Sequence, residues 1–201
     1  MSGDGDRDET REAIMDATYR ALCEHGYASL TMQDIADEFE KSKSLFYYHF
    51  DTKDDLLVAF IDHVLVQFEQ EVEAIEGTPD ERLAAFVDRF VIGEDEQERK
   101  AFHLALLELR AQAPFNERYR EQLVRSDEMI RGTIAEIVRD GIEKGVFRNG
   151  VDPETIARFV LAAMDGARTR QITLDAEGYT GTVRDTLYEH VLDDIRIAGG
   201  G

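Results

Sequence analysis

Polar side chains able to bind nucleic acid are concentrated between residues 41 and 53. The segment contains lysines, serines, two tyrosines and a histidine, which together offer positive charge, hydroxyl groups and ring nitrogens. Lys41, Lys43 and Lys53 against Asp51 give the segment a formal charge of 3 − 1 = +2, whereas the whole chain carries 23 − 43 = −20. Such groups bind the phosphates and base edges of DNA. The local reversal of charge therefore indicates a surface for a polyanion.

The hydrophobic pattern places these polar residues on the second of two short helices. Thr31 is a good N-cap residue, and apolar side chains then recur at helical spacing from Met32 to Phe39. After a turn of three to four residues, Ser42 caps the next helix, whose first backbone N–H groups are free to face phosphate. Two short helices joined by a tight turn are typical of a helix-turn-helix, in which the second helix enters the major groove.

Helical periodicity continues along the rest of the chain. Only three prolines interrupt it, and Pro79 and Pro153 both suit the first position of a helix. We predict an all-α fold of nine helices in two parts. Residues 1–50 would form a three-helix, helix-turn-helix DNA-binding head, and residues 51–201 a larger helical bundle for effector binding and dimerisation.

Signatures of enzymes are missing from the sequence. None of its five histidines has an acidic residue three positions earlier, as a carboxylate di-metal bundle requires, and no zinc-protease or glycine-rich phosphate motif occurs. We therefore expect no catalytic residues, no metal and no cofactor. The single cysteine, Cys23, lies on an apolar helix stripe, which favours a packed thiol. With no apolar stretch of roughly 20 residues, we expect a cytoplasmic protein with no membrane partner.

The strong acidity of the chain has two interpretations. It could mean that the protein avoids nucleic acid, or it could be an adaptation of the whole surface, as in proteins of salt-loving organisms. The acidic residues are spread along the chain rather than gathered in a tail, which favours the second interpretation.

Two segments closely resemble the DNA-binding signature of the TetR family of repressors, namely Thr31-Met-Gln-Asp-Ile-Ala-Asp-Glu-Phe and Ser42-Lys-Ser-Leu-Phe-Tyr-Tyr-His-Phe-Asp-Thr-Lys-Asp-Asp-Leu-Leu. The resemblance covers roughly residues 8–60. It implies that one set of side chains lies in or beside the major groove: Lys43, Ser44, Leu45 and Tyr47. It implies that a second set holds phosphates: Thr31, Ser42, Tyr48, His49 and Lys53.

Two residues of the turn depart from the family pattern. Glu40 stands at the usual glycine and Lys41 at the usual small apolar residue. Glu40 would be strained if the turn required a positive φ, and it brings an acid close to DNA.

The same resemblance implies a small-molecule effector cavity between the fourth and eighth helices of the larger domain. The candidate lining residues are Phe60, His63, Phe86, Phe90, His103, Leu107, Met129, Met164 and Arg168, with Tyr119 as a further polar candidate. A lone histidine on such a helix face is more often an ordinary core residue, and mixtures of Met and Phe also fill ordinary cores. No effector class follows from them.

The last two helices are the predicted homodimer surface. Small residues such as Ala162 and Gly166 allow close approach, and Leu187, Val191 and Ile195 form an apolar stripe. A two-fold dimer would present two recognition helices about 34–36 Å apart and bind a palindromic double-stranded operator. The alternative is a dimeric helical ligand-binding protein without DNA binding.

Overall fold

Helices account for nearly all of the regular structure. The computed structural model describes residues 4–93 and 96–197, with side chains from Arg7 onward. The helices are α1 (Asp4–Ser29), α2 (Met32–Glu38), α3 (Lys43–His49), α4 (Lys53–Glu73), α5 (Pro79–Asp88), α6 (Gln97–Gln112), α7 (Glu117–Glu143), α8 (Pro153–Thr173) and α9 (Tyr179–Leu187). α9 runs on through a π-helical turn, Tyr188–Leu192, and a last turn, Asp193–Ile195. The described residues contain no β-strand, so the all-α, nine-helix prediction is confirmed.

The first compact unit holds the two short helices. It comprises the chain up to residue 67 together with residues 97–123. The apolar stripe of α1, including Ile14 and Leu22, is fully buried against Ile35 of α2 and Phe46 of α3. α6 also packs along α1. The ring centroids of Phe102 on α6 and Tyr19 on α1 are 4.7 Å apart, and Phe102 belongs to the same core. The short helices are thus held by a core to which distant parts of the sequence contribute.

The second compact unit comprises residues from 68 up to Glu96 and from 124 onward. Its core contains Phe86, Ile134 and Met164, all fully buried. Gly141 is required in α7, because a Cβ there would lie only 2.1 Å from the ring of Phe147. The separation into compact units follows packing and is a different division from the functional boundary expected near residue 50, which stays a prediction.

A buried polar cluster joins α8 and α9 within the second unit. The side chain of Gln171 donates to the carbonyl of Ile92 at 2.8 Å and accepts from the backbone N–H and hydroxyl of Thr180, both at 2.8 Å. The Thr180 hydroxyl in turn accepts from the N–H of Ile92 at 3.1 Å. All these groups are buried and paired, so the cluster fixes how α9 lies against α8.

Two kinds of feature are absent from the described residues. No helix among them is both long enough and apolar enough to cross a bilayer. In the same part of the chain, no group of three or more His, Cys, Asp or Glu side chains is arranged to hold a metal ion.

Candidate nucleic-acid interface

The helix α3 presents two different faces. Phe46 is fully buried, and Phe50, the C-cap residue of α3, is almost fully buried. These two side chains anchor the helix to the core of the first unit. Lys43 and Ser44 are exposed on the opposite side, and Tyr47 is 42% exposed. Side chains expected at the major groove therefore lie at the surface, with Leu45 half-buried beside them.

The next two residues of α3 extend the exposed face. Tyr48 is 76% exposed, and its ring meets the half-buried His49 edge to face at 5.8 Å. Neither tyrosine of the adjacent pair is a core residue, since both are exposed. The hydroxyl of Tyr47 lies 3.4 Å from Oε1 of Gln33 on α2, which orients the ring along the outer surface.

Local capping explains why these two short helices form. The Thr31 hydroxyl accepts from the N–H of Asp34 at 3.2 Å, and the Asp34 carboxylate accepts from the N–H of Thr31 at 2.8 Å. These reciprocal bonds form a capping box at the start of α2. The Ser42 hydroxyl accepts from the N–H of Leu45 at 3.3 Å and caps α3 in the same way. Both predicted N-caps are confirmed.

The turn between α2 and α3 is built without a left-handed residue. Among the described non-glycine residues, only Asp175 has a positive φ, at 51°. Glu40 therefore carries none of the strain that its replacement of glycine suggested. Its neighbour Lys41 extends to α1, where Nζ lies 3.4 Å from the hydroxyl of the buried Thr10. The turn is thereby fastened to the first helix.

Two ion pairs lie beside α3. Lys43 forms an ion pair with Asp37 of α2, and the hydrogen bonds from Lys43 and Gln33 lower the pKa of the Asp37 carboxyl. Arg20 binds Glu38 twice, through the carboxylate at 3.1 Å and through the backbone carbonyl at 2.9 Å. Asp37 and Glu38, at the end of α2, are thus paired with neighbouring cations.

Lys53 is placed differently from the other candidate phosphate contacts. It is half-buried at the start of α4, and Nζ donates to the carbonyls of Tyr27 at 2.8 Å and Leu30 at 2.7 Å. Burial lowers the pKa of its ammonium group. Lys53 therefore holds the link between α1 and α2, and the phosphate contact that the resemblance implies for it stays a prediction.

Two arginines near the interface were missed by the sequence analysis. Arg7 and Arg11 lie one helical turn apart on α1, and they line an open surface cleft with Asp8, Tyr48 and His49. No motif marks them, and the sequence signal is only their spacing of four residues. The fold brings them beside the end of α3.

The nine candidate effector residues are divided between the two units. Four belong to the first unit: Phe60, His63, His103 and Leu107. Five belong to the second unit: Phe86, Phe90, Met129, Met164 and Arg168.

Packing within each unit supplies ordinary structural roles for several of these residues. Phe60 is buried against Phe102, whereas Phe86 and Phe90 stack at 5.6 Å in the other core. The Arg168 guanidinium lies 4.6 Å from the ring centre of Phe90. The effector site stays a prediction.

Tyr119, the further polar candidate, is a buried part of the first core. Its hydroxyl donates to the Asp54 carboxylate at 2.6 Å, and burial together with this bond raises the pKa of the phenol. The bond joins the start of α7 to the start of α4.

The predicted dimer surface on the last two helices stays a prediction, and the structure shows only which of its residues are exposed. Phe159 on α8 is 54% exposed, and Gly166 is exposed with open space around it. The expectation that Leu187 and Ile195 belong to that surface is wrong, because both are buried in the core of their own unit. Periodicity revealed an apolar face but not which helices cover it.

Comparison with known proteins covers both parts of the chain. Residues 14–60 match the family described as bacterial regulatory proteins, tetR family, and residues 79–195 match the BetI-type transcriptional repressor, C-terminal family. The crystal structure of a TetR transcription regulator from Haloarcula marismortui is 41% identical over 94% of this chain and 100% of that one, with a TM-score of 0.84.

Curated relatives match over a shorter stretch. The transcriptional regulator HbdR of Aromatoleum is 39% identical over 79 residues, and BetI of Brucella anthropi is 34% identical over 80 residues. Each match spans 38% of this chain, and only 34% and 41%, respectively, of those proteins. The two family matches and the full-length structural likeness show that this chain belongs to the TetR family of helix-turn-helix transcriptional regulators.

Proposed function

We propose that the chain is a transcriptional repressor that binds a palindromic operator in double-stranded DNA as a homodimer and releases it when a small-molecule effector binds. The supporting observation is the orientation of α3, whose polar side chains Lys43, Ser44 and Tyr47 face outward while Phe46 anchors the helix. Such a regulator acts where the DNA is, in the cytoplasm. It needs neither cofactor nor metal.

Operator selection tests this function. Purified protein is incubated with a random duplex library, and bound duplexes are recovered and sequenced. We expect a palindrome whose half-sites are about one DNA turn apart. Recovery of no enriched duplex would support the alternative, a dimeric helical ligand-binding protein without DNA binding.

A matched pair of lysine variants then tests the role of α3. Lys43 and Lys144 are both more than half exposed, and each forms an ion pair with an aspartate, Asp37 and Asp140, respectively. Lys43→Gln should weaken binding to the selected duplex by about tenfold or more, the size of one lost base contact. Lys144→Gln removes the same charge from the end of α7 and should bind as wild type. Equal affinities of the two variants would contradict the assignment of α3.

Contacts inside the first unit support a route by which an effector could alter DNA binding. On α6, Glu108 accepts hydrogen bonds from the N–H groups of Tyr27 at 2.8 Å and Ala28 at 3.3 Å, just before α2. On α7, Tyr119 binds Asp54 at the start of α4. A shift of α6 would therefore pull on the segment before the helix-turn-helix, and a shift of α7 on the segment after it.

The mechanism we propose is an equilibrium between two dimer shapes. An effector that prefers the wider shape moves the two recognition helices out of register with the operator and weakens binding.

We also infer that the acidic surface is an adaptation to high salt. The 43 acidic residues outnumber the 23 basic ones and are spread along the chain, so their mutual repulsion decreases when salt screens it. Thermal unfolding in a series of KCl concentrations should show increasing stability over a wide range. A melting temperature that falls with KCl would contradict this part of the proposal.

A further inference from the structure

The open cleft beside the end of α3 contains two arginines that the family resemblance leaves without a role. Arg7 and Arg11 precede residues 14–60, over which the DNA-binding family matches. In this cleft they face Tyr48 and His49, two residues that the resemblance assigns to phosphate binding. A cation pair from one helix and two polar side chains from another thus converge on one place.

The charge of the cleft is opposite to that of the protein. Two arginines and Asp8 give 2 − 1 = +1 with His49 neutral, on a chain of net charge −20. Both arginines are exposed, and neither forms an ion pair with any residue whose side chain the structure describes. Lys43, by contrast, is paired with Asp37. Both guanidinium groups face solvent beside the helix that we propose reads DNA. Such a group can bind a phosphate, which accepts two parallel N–H bonds from arginine.

The position of the arginines is held by the fold. Thr10, between them in sequence, is buried and hydrogen bonds with Lys41 of the turn before α3. Ile14, one turn further along α1, is fully buried in the core of the first unit. The cleft therefore keeps its place relative to α3.

We propose that Arg7 and Arg11, with Tyr48 and His49, form a clamp for a backbone phosphate of DNA, which extends the interface beyond the helix-turn-helix. This inference rests on the proposed DNA-binding function. Because the clamp binds backbone rather than base edges, it should contribute to affinity for any sequence and fix the register of α3 on the duplex.

Fluorescence anisotropy with two labelled duplexes tests the clamp. One is the duplex that the wild-type protein enriches most from a random library, and the other is a scrambled duplex of the same length. The double variant Arg7→Gln/Arg11→Gln should weaken binding to both duplexes by a similar factor of about ten. The slope of log K against log salt should become more positive by about one unit, since the clamp binds one phosphate and each lost phosphate contact removes about one.

Two further variants make the result specific. Arg7→Lys/Arg11→Lys keeps the charge but loses the two parallel N–H bonds, so it should bind more tightly than Arg7→Gln/Arg11→Gln and more weakly than wild type. Arg120→Gln/Arg139→Gln removes two charges from exposed arginines on α7 and should bind as wild type. Glutamine is a good helix former, so all the variants should melt close to the wild-type temperature.

Three outcomes would overturn the clamp while leaving the proposed function intact. The first is wild-type affinity of Arg7→Gln/Arg11→Gln for both duplexes. The second is a loss of affinity confined to the selected duplex, which would indicate base reading. The third is an equal loss of affinity in the Arg120→Gln/Arg139→Gln control. Failure of the proposed function has a different signature, because the wild-type protein would then enrich no duplex at all.

Discussion

Replacing Gly26 with alanine tests how the end of α1 is joined to the DNA-reading helices. Gly26 interrupts α1 with φ 66° and ψ 168°, a conformation that is essentially restricted to glycine. An alanine Cβ would also lie 3.2 Å from Oε2 of Glu108, the atom that accepts the N–H bonds of Tyr27 and Ala28. The substitution thus strains the backbone and displaces the side chain that caps it.

The expected loss of stability can be worked from these two effects. The backbone strain costs about 1–3 kcal/mol. Displacing the half-buried Glu108 weakens two hydrogen bonds, and partial exposure to water limits that loss to about 1 kcal/mol in total. Gly26→Ala should therefore lower the free energy of unfolding by roughly 2–4 kcal/mol.

Urea unfolding followed by circular dichroism measures the effect, and Gly132→Ala is the matched control. Gly132 lies inside α7, where an added Cβ meets no atom within 4 Å, so alanine should stabilise the protein by about 0.5–1 kcal/mol. A double-mutant cycle with Glu108→Ala separates the two effects, because in that background only the backbone strain remains. If Gly26→Ala were as stable as wild type, the reasoning from φ would be refuted.

Three other predictions concern assembly, salt and pH. Phe159→Arg should convert the proposed dimer to a monomer in size-exclusion chromatography with light scattering. Phe115→Arg, at a side chain 88% exposed on the α6–α7 turn, should leave the proposed dimer intact, and the reverse pattern would exclude α8 from the interface. Affinity for the selected duplex should change little with salt or increase with it, because exposed acids such as Glu40 require cations to be taken up when DNA binds. Glu40→Gln should make the slope of log K against log salt more negative. A steep negative slope in the wild-type protein would contradict this. Hydrogen bonds from Thr31 lower the pKa of Asp34, so its stabilising contribution is present above the unfolded value of about 3.9 and is lost as pH falls through the lower folded value. Asp34→Asn should therefore flatten the decline of melting temperature in acid, and an unchanged decline would show that the cap is not responsible.

The short helices of the interface were predictable because their signals are local. Thr31 and Ser42 are caps, and both bind N–H groups within three residues of themselves in sequence. Phe46 and Phe50 are likewise four residues apart, which is the spacing of one helix face, and both are buried. Each cap and the group that it binds lie within one helical turn of each other, and so do the residues of one helix face. Sequence patterns indicate secondary structure over this short range.

Contacts between distant parts of the chain could not be predicted in the same way. Glu108 caps the N–H of Tyr27 from 81 positions away, and nothing in the spacing of either residue indicates the other. The stripe containing Leu187 and Ile195 shows the related limit, since an apolar helix face has the same periodicity whether its own chain or a partner covers it. Only the packed structure distinguishes these cases.

The charge of the interface shows most clearly why counting along the sequence is insufficient. The count of +2 over residues 41–53 treats every lysine as available, yet Lys43 is paired with Asp37 and Lys53 donates to two backbone carbonyls. The arginines of the cleft, which do face solvent, lie on α1 outside the counted segment. The DNA recognition that we propose for so acidic a protein must then depend on the helix N-terminus, hydroxyl groups and a few well-placed guanidinium groups rather than on a broad positive field. That arrangement would keep DNA binding effective at salt concentrations where long-range attraction is screened.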